Sequence, residues 1–63
     1  MNNSPQYLTE SQVESMTGIA RSTLQNHRFM RIGIPYVKLN RSVRYKLQDV
    51  IDYMEARKVV PGR

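Results

Sequence analysis

Between positions 21 and 46 the chain carries Arg21, Arg28, Arg31, Lys38, Arg41, Arg44 and Lys46, and not one Asp or Glu. Ser22, Thr23, Gln25 and Asn26 stand among the first of these cations, each able to donate and accept hydrogen bonds. Such a set can recognise a polyanion. Guanidinium and ammonium groups neutralise phosphates, arginine pairs bidentately with guanine, and glutamine or asparagine does the same for adenine. Covalent chemistry has much less to work with. His27 is the one histidine and there is no cysteine. The acids Glu10, Glu14, Asp49, Asp52 and Glu55 are dispersed, so neither a nucleophile–base–acid set nor a metal-ligand cluster assembles. The expectation is a protein without enzymatic activity, metal, cofactor or small-molecule ligand.

The formal charge is +5 over 63 residues. All five acids lie outside the 21–46 stretch, where they outnumber Arg57, Lys58 and Arg63. This segregation is what an electrostatic docking surface for a polyanion requires; a solvated basic surface without a partner is the alternative. The length allows a single domain, and one this small buries only about 60% of the surface its unfolded chain exposes. Apolar runs are far short of the roughly 20 residues a membrane span needs. The start, MNNSPQYL, lacks the basic and apolar segments of a secretion signal. A soluble, cytoplasmic domain with no membrane association is expected, divided into a disordered lead-in over 1–6, a folded unit over 7–59 and a flexible tail over 60–63.

The cations need elements to hold them. Thr9 is placed to cap a first helix over about 9–17, with Gln12 reaching back in a capping box and Leu8 and Val13 as a hydrophobic staple. Glu10 and Glu14 suit the helix dipole, Val13 and Met16 point to the core, and Gly18 stops the helix through a left-handed residue. After Ile19 and Ala20, a second helix runs from Arg21 to Phe29 or Met30, burying a narrow stripe around Leu24. Two short helices joined by a tight turn match the helix-turn-helix unit, whose second helix enters the major groove. An ordinary antiparallel helix pair is the alternative, and it predicts acids mixed among the bases of the second helix.

Gly33 and Pro35 break that helix before a hairpin. Residues 36–39 and 43–46 alternate, which predicts Val37, Leu39, Val43 and Tyr45 on one face and Lys38, Arg44 and Lys46 on the other with Tyr36. Matching the apolar faces pairs Leu39 with Val43 around a three-residue loop of Asn40, Arg41 and Ser42. That register sets Lys38 opposite Arg44, a destabilising like-charge pair that a bound phosphate would relieve. A third helix follows from Leu47 or Gln48 to Lys58, with Leu47, Val50, Ile51 and Met54 on its apolar stripe. Its early acids, Asp49 and Asp52, fit the dipole and would be repelled by DNA, so it packs behind. Pro61 and Gly62 end it.

The stretches LTESQVESMTGIARSTLQNHR and PYVKLNRSVRYKLQDVIDYMEARK, in this order and spacing, resemble the excisionase/AlpA-like family, a compact relative of the MerR-type DNA-binding domain. The likeness extends from Leu8 to Lys58. It implies a mainly α, winged helix-turn-helix fold of order α-α-β-β-α, encoded by a bacterium or phage, with the second helix in the major groove and the hairpin as wing. It also implies helix contacts from Arg21, Ser22, Thr23, Gln25, Asn26 and Arg28, and wing contacts from Lys38, Asn40, Arg41, Ser42 and Arg44. The sequence departs from the family pattern at three places. Ala20 replaces a capping serine, at a cost of about 1 kcal/mol. His27 stands for a large aromatic, and Asn40 for a glycine.

Individual roles stay open between readings. Arg21, Arg28, Gln25 and Asn26 can touch bases or only phosphates. Ser22 and Thr23 can bind phosphate at the helix start or simply initiate the helix. Arg41 can enter a narrow minor groove or remain an exposed hairpin residue. Tyr36 and Tyr45 read as packing rather than stacking platforms, and His27 as a core-edge or phosphate-proximal residue. The resemblance implies duplex DNA as partner, with an integrase and self-association on DNA in an excisionase. A small stand-alone transcriptional regulator and a basic protein-interaction module are the competing functions. A full MerR-type sensor would need a long dimerisation helix after residue 58.

Overall fold

A computed structural model of the chain describes residues 6–62. The elements are β1 (Tyr7–Leu8), α1 (Glu10–Thr17), α2 (Arg21–Met30), β2 (Val37–Leu39), β3 (Ser42–Lys46) and α3 (Leu47–Ala56). This is a small mixed α/β arrangement of three helices and one three-stranded antiparallel sheet of order β1-β3-β2. The expected order therefore lacked a strand. Tyr7 pairs with Lys46 and Leu8 with Tyr45, and the Leu47 amide donates to the Gln6 carbonyl at 2.8 Å. Two residues are too short to show a period, and β1 exists because β3 offers an edge of unpaired backbone groups. Apart from Gln6, the lead-in expected over 1–6 lies outside the described residues, as does Arg63.

The first helix forms as its sequence dictates. The Thr9 hydroxyl accepts from the Gln12 amide and the Gln12 side chain accepts from the Thr9 amide, completing the capping box. Gly18, at φ +80°, ends α1 by donating to the Glu14 carbonyl. Gly18, Ile19 and Ala20 then separate α1 from α2. Ala20 makes no side-chain cap. At its other end α2 closes on Arg31 rather than a glycine, with φ +60°. The Arg31 amide donates to the Arg28 carbonyl and the Ile32 amide to the His27 carbonyl, the two bonds of a Schellman turn. Gly33 follows at φ +85°, and a Cβ there would meet His27 Nδ1 at 2.8 Å. Both the backbone conformation and the approach of the imidazole require glycine.

The core gathers Leu8, Val13, Leu24, Ile34, Tyr45 and Val50, with Ile19, Val43, Leu47 and Tyr53 packed around them. Each of β1, α1, α2, β3 and α3 contributes one buried side chain to it, fully enclosed in every case but Leu8. Met16 and Met54, expected in the core, are exposed. On α3 the flank of Val50 is covered by Leu47 and Tyr53 instead. Burying Val13, with Leu8 just before the cap, already fills the space under α1.

The hairpin departs most from expectation. Its turn has two residues, Asn40 and Arg41, and the register is Val37 with Arg44, Lys38 with Val43 and Leu39 with Ser42. Paired residues share a face, so Lys38 lies on the face of Val43 and Tyr45, while Val37 and Leu39 lie beside Arg44 on the other. The pairs Leu39–Val43 and Lys38–Arg44 do not form, so no like charges stand directly opposite across the hairpin for a phosphate to relieve. Asn40 adopts φ +57°. A residue tolerating the left-handed region lets the chain reverse in two residues, where three were expected. One residue of slip moves every side chain of a strand to the opposite face. Leu8 and the burial of Tyr45 fix β3. Edge strand β2 has little core to fill, so the turn sets its register, leaving Val37 40% and Leu39 55% exposed.

Candidate nucleic-acid interface

The first turn of α2 carries Arg21, Ser22 and Thr23, all exposed. With no side chain capping from Ala20, the amides of this turn are open to an anion. Helical spacing aligns Ser22, Gln25, Asn26 and Phe29 on the outward face, opposite Leu24. None of the four is charged. Asn26 Nδ2 lies 3.4 Å from Met30 Sδ, a weak contact that leaves its carbonyl unengaged. Gln25 Nε2 donates to Glu10 Oε1 at 3.1 Å.

Arg28 sits differently. Its Nη1 donates to Glu10 Oε2 at 2.8 Å and to the Tyr45 hydroxyl. The guanidinium also lies 5.8 Å from the Tyr36 ring centre and 6.0 Å from that of Tyr45, while the two rings are 6.3 Å apart. The side chains of Arg28 and Glu10 are only 18% and 21% exposed. This cluster joins α1, α2 and β3. Burial raises the Glu10 pKa, but hydrogen bonds from Arg28 and Gln25 and the charges of Arg28 and Arg21 outweigh it and hold the carboxyl below its usual range. Burial likewise lowers the Arg28 pKa, and the bonds to Glu10 and Tyr45 outweigh it, raising the net value. Arg21 makes a more open ion pair with Glu14, Nε to Oε1 at 3.2 Å. The acids absent from the sequence of α2 are thus supplied in part by α1.

Two adjoining grooves separate α2 from the hairpin. One, of about 430 Å³, is bordered by Arg21, Gln25, Arg28, Arg41 and Arg44, with Thr9, Glu10 and Ser11 lining it from the α1 side. The other, of about 360 Å³, is bordered by Arg28, Phe29, Tyr36, Lys38 and Arg41. Arg28, Arg41 and Val43 line both. The fold therefore brings together Arg21, Gln25, Arg28, Lys38, Arg41 and Arg44 of the expected site. Ser22, Thr23, Asn26, Asn40 and Ser42 line neither groove; the first three lie on the exposed part of α2 and the last two at the hairpin tip. Among the described residues no acid is paired with Arg31, Lys38, Arg41, Arg44 or Lys46.

Comparison of the chain with protein-family models, with curated proteins and with solved structures returns no match from any of the three. The geometry of the surface is what bears on function.

Sequence reasoning missed three contributors. Glu10 was expected to serve the α1 dipole and instead organises Arg28 and Gln25. Tyr36, expected only to pack, borders the second groove, with its ring 6.3 Å from that of Tyr45. Phe29, in sequence only a helix end, is 87% exposed and borders the second groove. The spacing of Phe29 from Ser22 and Asn26 did place it on the outward face, whereas nothing local signalled Glu10. His27 sits at the core edge, its Nδ1 buried against Gly33 without a hydrogen-bond partner among the described residues. No helix of the described residues is long and apolar enough to cross a membrane.

Proposed function

We propose that the protein binds duplex DNA, with α2 as the recognition helix of a helix-turn-helix and the β2–β3 hairpin as its wing. The observation carrying this reading is that Lys38, Arg41 and Arg44 border the grooves beside α2 without acid partners among the described residues, next to a helix face on which Ser22, Gln25 and Asn26 supply uncharged hydrogen-bonding side chains. Unpaired cations neutralise phosphates on either side of a groove, while Ser22, Gln25 and Asn26 have the donors and acceptors that base edges require. The uncapped start of α2 adds amides for a further phosphate. Arg28 works from behind, orienting α2 against α1 and β3, and Gln25 is held by Glu10 until a base competes for its amide.

With the family resemblance, this docking chemistry fits an excisionase that binds and bends DNA to assist an integrase. A small transcriptional regulator uses the same contacts and differs in what occupancy does. Footprinting separates the two: tandem direct repeats beside a recombination site support excision, and a single inverted repeat at a promoter supports regulation. DNA binding itself is tested by fluorescence anisotropy of a labelled duplex over a salt series. Affinity is expected to fall linearly on logarithmic axes with a slope of about −0.9 per phosphate neutralised. Absence of binding at low salt, together with a stoichiometric acidic protein partner, would replace this reading with a protein-interaction module.

A further inference from the structure

We infer that Phe29 is a specificity-determining residue that reads the 5-methyl group of thymine, an inference resting on the reading that α2 enters duplex DNA. Phe29 ends the outward stripe that begins at Ser22 and continues through Gln25 and Asn26, the spacing that keeps side chains on one helix face. It is 87% exposed and takes no part in the hydrophobic core. A single exposed apolar side chain is ordinary on a protein surface. Its neighbours set this one apart. The ring borders the groove flanked by Lys38 and Arg41, neither of which has an acid partner among the described residues. A partner held by those two cations is a polyanion, and the ring faces it from the same helix as three hydrogen-bonding side chains.

Among the base edges of the major groove there is one apolar group, the thymine methyl. Hydrogen-bonding side chains at the start and middle of the face and an aromatic ring at its end together specify polar base edges followed by a methyl. Insertion of the ring between stacked bases belongs to minor-groove binders, whereas an α-helix fits the wider major groove.

The test uses the full chain and a duplex selected from a random-sequence pool. The selected sequence is synthesised with each thymine replaced singly by deoxyuridine, which removes only the methyl. At one position the replacement is expected to weaken binding by about three- to fourfold, the loss appropriate to one buried methyl. Phe29→Ala is expected to bind the thymine duplex more weakly by at least that factor and to lose all discrimination between thymine and deoxyuridine there. Its salt slope and thermal midpoint are expected to match the parent protein, since Phe29 neutralises no phosphate and is outside the core. Equal binding of thymine and deoxyuridine duplexes by the parent overturns the inference while leaving DNA binding intact. So does a Phe29→Ala loss that is the same on both duplexes, which would assign the ring to wedging. Failure of the parent to enrich any duplex at low salt is instead the failure of the underlying reading.

Discussion

Helix α2 is held from two sides by regions that treat positive charge in opposite ways. Toward α1, Arg21 and Arg28 meet Glu14 and Glu10, and the arginine nearer the core is also bound by the Tyr45 hydroxyl. Toward the hairpin, Lys38 and Arg41 are exposed and Arg44 is half-buried, none of them paired with an acid among the described residues, although Glu10 also lines the groove that Arg41 and Arg44 border. A run of seven cations in sequence is thereby divided in space into an ion-paired group and a group without acid partners among the described residues. A half-buried guanidinium needs its partners, because losing them strands a desolvated charge. An exposed ammonium or guanidinium on the rim costs little to leave unpaired in water and is available to a phosphate.

Removing Arg28 should give the largest effect on the molecule itself. Arg28→Ala is expected to destabilise the fold by about 3 kcal/mol, since it leaves the Glu10 carboxylate and Tyr45 hydroxyl without their shared donor. Lys38→Ala and Arg41→Ala should change stability by less than about 0.5 kcal/mol. Denaturant unfolding of the three variants measures this contrast; an Arg28→Ala variant as stable as the parent would break it.

The same cluster is expected to make the fold acid-sensitive. The folded-state pKa of Glu10 is depressed, so its contribution to stability is complete above the unfolded value of about 4.3 and is lost as pH falls through the lower folded value. Arg28 is shifted upward, so its contribution is lost only in strong alkali. Glu10→Gln is expected to flatten the acid limb of a plot of unfolding free energy against pH. It should leave the plateau above pH 5 lower, because the charge pair is gone there. An unchanged acid limb would show that Glu10 is not the group responsible.

On the docking side the expected loss is in affinity. Lys38→Ala combined with Arg41→Ala should weaken duplex binding at low salt by about tenfold or more and reduce the salt slope by about two. Arg21→Ala, with its exposed pair to Glu14, should have a smaller effect on both affinity and stability. If the double variant kept the parental slope, the unpaired cations would not be phosphate contacts.

Much of this division was legible in the sequence, and the reasons for the remainder are physical. Capping at Thr9, the stop at Gly18, the missing cap at Ala20 and the core residues Val13, Leu24 and Val50 follow from local patterns, and α1 and α2 appear where those patterns put them, whereas α3 ends at Ala56, short of the expected Lys58 and well before Pro61 and Gly62. The hairpin was legible as an element but not in register, because alternation alone made Leu39 and Val43 partners while Asn40 allowed a tighter turn. The basic surface was legible as composition. Which arginines it spends on structure was not, since Glu10 and Arg28 meet only after α1 folds back on α2, and no local spacing encodes that meeting. Ile34 is buried from an irregular segment with no period to announce it.

A smaller effect on the salt slope than that of the double variant is expected at the bend that carries the chain from α2 to the hairpin. Arg31 and Gly33 both adopt positive φ there. Gly33 has the imidazole of His27 against it, so no side chain fits, whereas Arg31 carries a full side chain in a conformation that disfavours Cβ by roughly 1–2 kcal/mol. Arg31→Gly removes that strain and adds chain entropy to the unfolded state, for a net gain of about 1 kcal/mol. The substitution also deletes one unpaired cation at the end of α2. If Arg31 belongs to the docking surface, the variant will melt higher and bind duplex DNA more weakly, with a salt slope lower by about one. A higher melting temperature with unchanged affinity would place Arg31 outside the surface and confine the phosphate contacts to the hairpin and the start of α2.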